Sequence, residues 1–112
     1  MIFALDYDKT YNAAKDFWDS FIELSLQSGH KVYLVTARGP VEDKLSKEQF
    51  DWPEAEVPVI YCNGVAKRWC LKMHHDIDTD VWIDDKPDNI LFNSTATREV
   101  LEEWRNSEEY KK

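Results

Sequence analysis

An α/β domain built on a parallel sheet is predicted by three observations. Short apolar runs rich in β-branched and aromatic residues recur along the chain, stretches with helical spacing separate them, and polar residues with chemical potential stand where each run stops. Strands that alternate with helices form repeated βαβ units, which implies parallel pairing, right-handed crossovers and helices packed on the sheet.

Ile2 to Asp6, Lys31 to Thr36, Val57 to Cys62 and Asp80 to Asp84 are the four expected strands. Residues 13 to 28 place Phe17, Phe21 and Leu24 at i, i+4 and i+7, with Trp18, Ile22 and Leu26 widening the stripe. Gly29 follows where a helix C-cap belongs. Pro40 to Phe50 reads as a second helix, with Pro40 suited to its first turn and Asp51-Trp52-Pro53 ending it. Residues 65 to 75 read as a third, opened by Asn63-Gly64. Asn89 to Phe92 reads as a helical turn, and Ala96 to Arg105 as a helix with Val100, Leu101 and Trp104 inward. The charged tail from Asn106 is expected to fray. No repeat, low-complexity stretch or linker divides the chain, so a single domain spanning residues 1–112 is expected.

The 112 residues suffice for a core that buries roughly two-thirds of the unfolded chain's surface. A hydrophobic fraction of 43%, with five Trp, argues against disorder, and 32% charged residues argue for a soluble surface. The net charge of -8 makes generalised binding to nucleic acid or anionic lipid an unfavourable reading. Cys62 and Cys70 form no C-x-x-C pair and are expected as reduced thiols in a cytoplasmic protein. The apolar run from Ile2 stops at Asp6, too early for a secretory leader, and no stretch is long enough for a membrane span. The adjacent His74 and His75 are read as partners of helix-end carbonyls, and Trp82 and Trp104 as buried.

Doubly wound sheets bind ligands beyond the carboxyl ends of their strands. Those ends carry Asp6-x-Asp8, Thr36 and Asp84-Asp85, while Lys67 stands near the start of the helix that follows the third strand. Several carboxylates gathered within a few ångström are strongly unfavourable unless a divalent cation offsets them, and hard oxygen donors suit Mg²⁺. A hydroxyl and an ammonium converging on the same spot then predict an anion beside that metal. A phosphoryl group satisfies all of these groups at once.

"DYDKT", then "VYLVT", then a lysine opening a helix, then "VWIDD", resembles the four ordered motifs of the haloacid dehalogenase-like superfamily in its phosphatase branch. The resemblance covers residues 2 to about 92 and implies a Rossmann-like sheet with helices on both faces. It also implies that Asp6 is the nucleophile forming an aspartyl-phosphate, and that Asp8 is the general acid and later the base. Asp6, Asp8 and Asp84 become the expected Mg²⁺ ligands. Thr36 and Lys67 become phosphate contacts, with backbone N–H groups of Tyr7, Asp8 and Ala37 completing the cradle. Thr10 locks the loop. Asp85 supports the site only if its strand ends there, with Asp88 as competitor. Lys72 is the alternative to Lys67, and Arg38 is either a surface residue or a substrate contact. Two departures stand out: Lys9 occupies a position where glycine is common, and "DKT" also resembles the ion-pump phosphorylation motif, which Tyr11-Asn12 does not continue.

The intervals from Asp8 to Thr36 and from Thr36 to Lys67 leave no room for a cap domain. An open site suits a nucleotide or similar small phosphomonoester, a polynucleotide end, a phosphoprotein, or a small substrate enclosed by a homo-oligomer partner. "VTARGP" and "DDKPDN" look most like nucleotidase-type and polynucleotide-phosphatase-type members. Other classes are a phosphate- and Mg²⁺-binding module without turnover and a receiver-type phosphoacceptor, although a receiver has its acidic pair first in the chain.

Overall fold

A computed structural model of the chain describes residues 1–93; the expected helix Ala96 to Arg105 and the tail from Asn106 lie outside the described residues. Four parallel strands, β1 (Ile2–Leu5), β2 (Lys31–Thr36), β3 (Val59–Tyr61) and β4 (Val81–Ile83), form one sheet in the order β3-β2-β1-β4. Helix α1 (Lys15–Gln27) joins β1 to β2, α2 (Lys67–His75) joins β3 to β4, and the short α3 (Asp88–Leu91) follows β4. β1 is central: Leu5 pairs with Leu34 of β2 and with Ile83 of β4. The strand order reverses between β1 and β4, which is where such sheets open a crevice at their carboxyl ends.

Side chains alternate across the sheet and divide the core in two. Phe3, Leu5, Val32 and Leu34 pack with Ile22 on the α1 face, whereas Ala4, Val35 and Ile60 pack with Cys70 and Leu71 on the α2 face. Both cysteines are free and buried on that second face. Helix α1 turns its Trp18, Phe21, Ile22 and Leu26 inward, while Phe17 and Leu24, expected in the stripe, are exposed. Gly29, at φ +83°, takes the left-handed conformation that ends the helix.

The expected helix Pro40 to Phe50 is absent. Phe50 N–H and Gln49 N–H both donate to the Ser46 carbonyl, and Gln49 Oε1 accepts Ser46 N–H, so this stretch contains short turns and no helix. Its apolar residues explain why: Val41 is exposed, and only Leu45 and Phe50 reach the core, five residues apart and therefore on no common helical face. β3 is shorter than expected because Val57 N–H turns back to the Pro53 carbonyl and Pro58 has no N–H to give. Trp82 is half-buried rather than buried.

Asp19 of α1 ties three segments together. Its carboxylate accepts Tyr11 O–H, Trp52 Nε1–H at 2.8 Å and Lys15 Nζ at 2.7 Å. Tyr11 is fully buried, so its hydroxyl depends on this acceptor. Burial alone would raise the Asp19 pKa, but the three donors together hold it below the usual carboxylate value. A depressed acid contributes stability above its unfolded pKa and loses it as pH falls through the folded one. Asp19→Asn is expected to lower the unfolding free energy at pH 7 by about 1.5–3 kcal/mol, the range for hydrogen bonds to a charged group. In urea titrations the gap to wild type should narrow below about pH 4; an equal gap at both pH values would contradict the ionic origin of the effect.

Candidate functional site

The register of the sheet brings the first two carboxylates together. Asp6 and Asp84 each stand one residue past the paired Leu5 and Ile83, and Asp6 N–H donates to the Ile83 carbonyl at 2.9 Å. Both follow the alternation of Ala4 and Trp82, so they share the face covered by α2. Between β3 and α2, Asn63 and Gly64 take φ +50° and +80° and donate to the carbonyls of Arg38 and Ala37. That tight turn folds the chain against the end of β2 and starts α2 at Lys67. Gly39 lies beside this turn, and a Cβ there would stand 3.0 Å from Asn63 Oδ1, close enough that the Asn63 side chain would have to shift slightly.

Lys67 is 1% exposed and its Nζ lies 2.7 Å from Asp6 Oδ1 and 2.5 Å from Asp84 Oδ2. Burial would lower its pKa; the two carboxylates outweigh burial and raise it, so the ammonium stays charged. Asp6, also buried, is pushed up to about 6 by desolvation, against the pull of Lys67. Lys72 instead pairs with Asp78 at 2.9 Å on the exposed side of α2, away from the strand ends.

Asp6 and Thr10 belong to a wide turn after β1, in which Tyr11 N–H donates to the Asp6 carbonyl and Asn12 N–H to the Tyr7 carbonyl. Within it Asp8 is extended and Lys9 is left-handed, at φ +63°, with its N–H donated to Asn12 Oδ1 at 2.7 Å. The position where glycine is common in the resembled motif is thus one that lysine occupies under strain. Thr10 Oγ1 lies 3.1 Å from Asp6 Oδ2 and 3.3 Å from Asp85 Oδ1, and accepts Asp85 N–H at 3.2 Å. Strand β4 has ended at Ile83, which frees Asp85 to turn toward the same site as Asp84.

Asp6, Asp84 and Asp85 each bring a carboxylate oxygen within 4.8 Å of the others. Hard oxygen donors in this number fit Mg²⁺, and each carboxylate keeps lone pairs beyond those its hydrogen bonds use. The Asp8 carboxylate, expected among the metal ligands, is not in this group. Arg38 holds it in a two-pronged pair, Nε to Oδ2 at 2.9 Å and the second terminal nitrogen to Oδ1 at 2.8 Å. That pair keeps the Asp8 pKa below the usual carboxylate value. Asp88 stands in the first turn of α3, outside the carboxylate group.

Thr36 is fully buried, and its hydroxyl oxygen accepts Arg38 N–H at 3.1 Å, which leaves its proton to donate. Ala37 follows it at the mouth, half-buried. Tyr7 was not singled out for its side chain, yet its ring lies 5.2 Å from the Arg38 guanidinium carbon. Asp19 also escaped sequence reasoning, since a carboxylate in mid-helix carries no signal of its partners. No family model matches the chain, and no curated protein or solved structure matches it.

Replacing Lys67 by Met would leave two adjacent carboxylates buried without their cation. At pH 8 in chelator-treated protein, Lys67→Met is expected to cost about 3–5 kcal/mol in urea unfolding; a cost below about 1 kcal/mol would show that the ammonium does not hold the site together. Lys9→Gly relieves the left-handed strain and should gain up to about 1 kcal/mol after the extra entropy of a glycine chain. A loss in the same titration would mean that the turn relaxes without a cost at this position.

Proposed function

We propose that the chain is a Mg²⁺-dependent phosphomonoester hydrolase of the haloacid dehalogenase-like superfamily that works through an aspartyl-phosphate. The observation that carries this reading is the buried Lys67 ammonium, seated between Asp6 and Asp84 at the point where the strand order reverses. An ammonium fixed beside a potential nucleophile is what phosphoryl transfer requires of a protein, because the reaction depends mainly on positioning and on offsetting charge.

Mg²⁺ held by Asp6, Asp84 and Asp85 would supply charge neutralisation for these carboxylates and for the phosphoryl oxygens. The remaining work falls to the chain's own groups. An Asp6 carboxylate oxygen attacks phosphorus, and the bond from phosphorus to the alcohol oxygen breaks with its electron pair passing to that oxygen. Asp8, released from its pair with Arg38 and protonated, gives the departing alkoxide that proton. The resulting Asp8 carboxylate then takes a proton from water as the water oxygen attacks phosphorus. The bond from phosphorus to the Asp6 oxygen breaks, which releases phosphate and restores both aspartates. Lys67 and the Thr36 hydroxyl offset and orient the phosphoryl oxygens, and Thr10 fixes the carboxylates of Asp6 and Asp85 relative to each other.

The wide turn after β1 and helix α1 are all that separate β1 from β2, and the turns that precede β3 contain no helix or strand. The site is thus read as capless and open. A nucleotide or similar small phosphomonoester suits it better than a polynucleotide, given a net charge of -8. No helix among the described residues is long and apolar enough to cross a membrane.

Hydrolysis of p-nitrophenyl phosphate tests this reading. Wild type with Mg²⁺ is expected to turn over, excess EDTA to abolish turnover, and Asp6→Asn to reduce it by at least about a thousandfold. Turnover that survives in the variant, or that ignores EDTA, would overturn the assignment.

A further inference from the structure

Arg38 is held by more than its pair with Asp8. Its backbone N–H donates to Thr36 Oγ1, and in the side chain one terminal nitrogen donates to the Asp43 carbonyl at 3.3 Å while the guanidinium lies against the Tyr7 ring. The Asp43 carbonyl and the Tyr7 ring thus hold the guanidinium at the end of β2 by contacts that do not involve the Asp8 carboxylate. Guanidinium has five N–H donors. Two go to Asp8 and one to Asp43, which leaves two without a partner in these contacts.

The pair is also reachable. The side chain of Asp8 is 46% exposed and that of Arg38 is 26% exposed, whereas Lys67 beneath them is 1% exposed. A chain with a net charge of -8 thus presents an anchored, planar, anion-binding fork beside the residue that would protonate the leaving alcohol. The Asp8 carboxylate in that fork shows the kind of group it accepts.

We infer that Arg38 is a specificity-determining residue that binds a second phosphate carried on the leaving alcohol, so that the substrate class is a small bisphosphate. This inference rests on the phosphohydrolase reading, because only there does the leaving group lie beside Asp8. A phosphate is favoured over a carboxylate because its greater charge and additional oxygens compete better with Asp8 for the same fork and fill the spare donors. Lys67 does not serve this role, since its ammonium is buried with Asp6 and Asp84, where the transferred phosphoryl group would lie.

The test compares kcat/KM for adenosine 3′,5′-bisphosphate with those for adenosine 3′-monophosphate and 5′-monophosphate, with p-nitrophenyl phosphate as a reference for turnover. Wild type should favour the bisphosphate by about ten- to a hundredfold, the worth of a charge-assisted hydrogen bond pair, and mainly through KM. In Arg38→Gln the ratio should collapse toward unity, and Arg38→Lys should restore part of it. Comparing substrates within each variant removes any general loss of activity. A wild-type ratio near unity overturns the inference whether or not the variants fold, as does a preference that survives in Arg38→Gln. Absence of turnover on every substrate, p-nitrophenyl phosphate included, would overturn the phosphohydrolase reading and this inference with it.

Discussion

Lys67 buries its ammonium between the carboxylates of Asp6 and Asp84, and moving such groups out of water costs several kcal/mol per ion unless the partners meet in good geometry. That requirement constrains the rest of the molecule. Asp6 and Asp84 must end neighbouring strands in register, and α2 must begin at Lys67 on the face to which both point. β1 satisfies the first condition by lying between β2 and β4, and the Asn63-Gly64 turn satisfies the second. The arrangement leaves the site with excess negative charge even after Lys67 is counted, because Asp85 joins it through Thr10. A divalent cation is the natural complement of that excess.

The turn after β1 is held to similar tolerances. Asp6 and Thr10 face each other across it only because Lys9 accepts a left-handed backbone and Tyr11 is anchored to Asp19 on α1. Asp19 in turn receives Trp52, so the irregular chain between β2 and β3 is secured to the same helix. Strain at Lys9 and order at Asp19 thus act on one short segment that carries both potential catalytic aspartates. Local strain is commonly stored where the surrounding structure over-determines it.

Much of this was legible in the sequence because the strands announce themselves by composition and the site residues stand at their ends. Asp6, Thr36, Lys67 and Asp84 stand out by their places after apolar runs or at a helix start, Thr10 enters through the motif resemblance, and the choice between Lys67 and Lys72 stays open until the structure buries one and exposes the other. The features that were missed depend on tertiary partners. Pro40 to Phe50 has acceptable helix composition, but its two core anchors lie on different helical faces, so packing overrides propensity. The pair between Asp8 and the Arg38 guanidinium joins residues 30 apart in sequence and carries no local signal. Asp85 depended on where β4 stops, and a one-residue difference at a strand end decides which way a side chain points.

The central claim is that Asp6 itself accepts the phosphoryl group. It is tested most directly by trapping: Asp8→Asn protein, slowed in releasing phosphate, is mixed with p-nitrophenyl phosphate and Mg²⁺, then reduced with borohydride, which converts an acyl phosphate to an alcohol. Peptide mass spectrometry should find that reduction at residue 6. Reduction at another aspartate, or none in protein that turns over the substrate, would contradict the account.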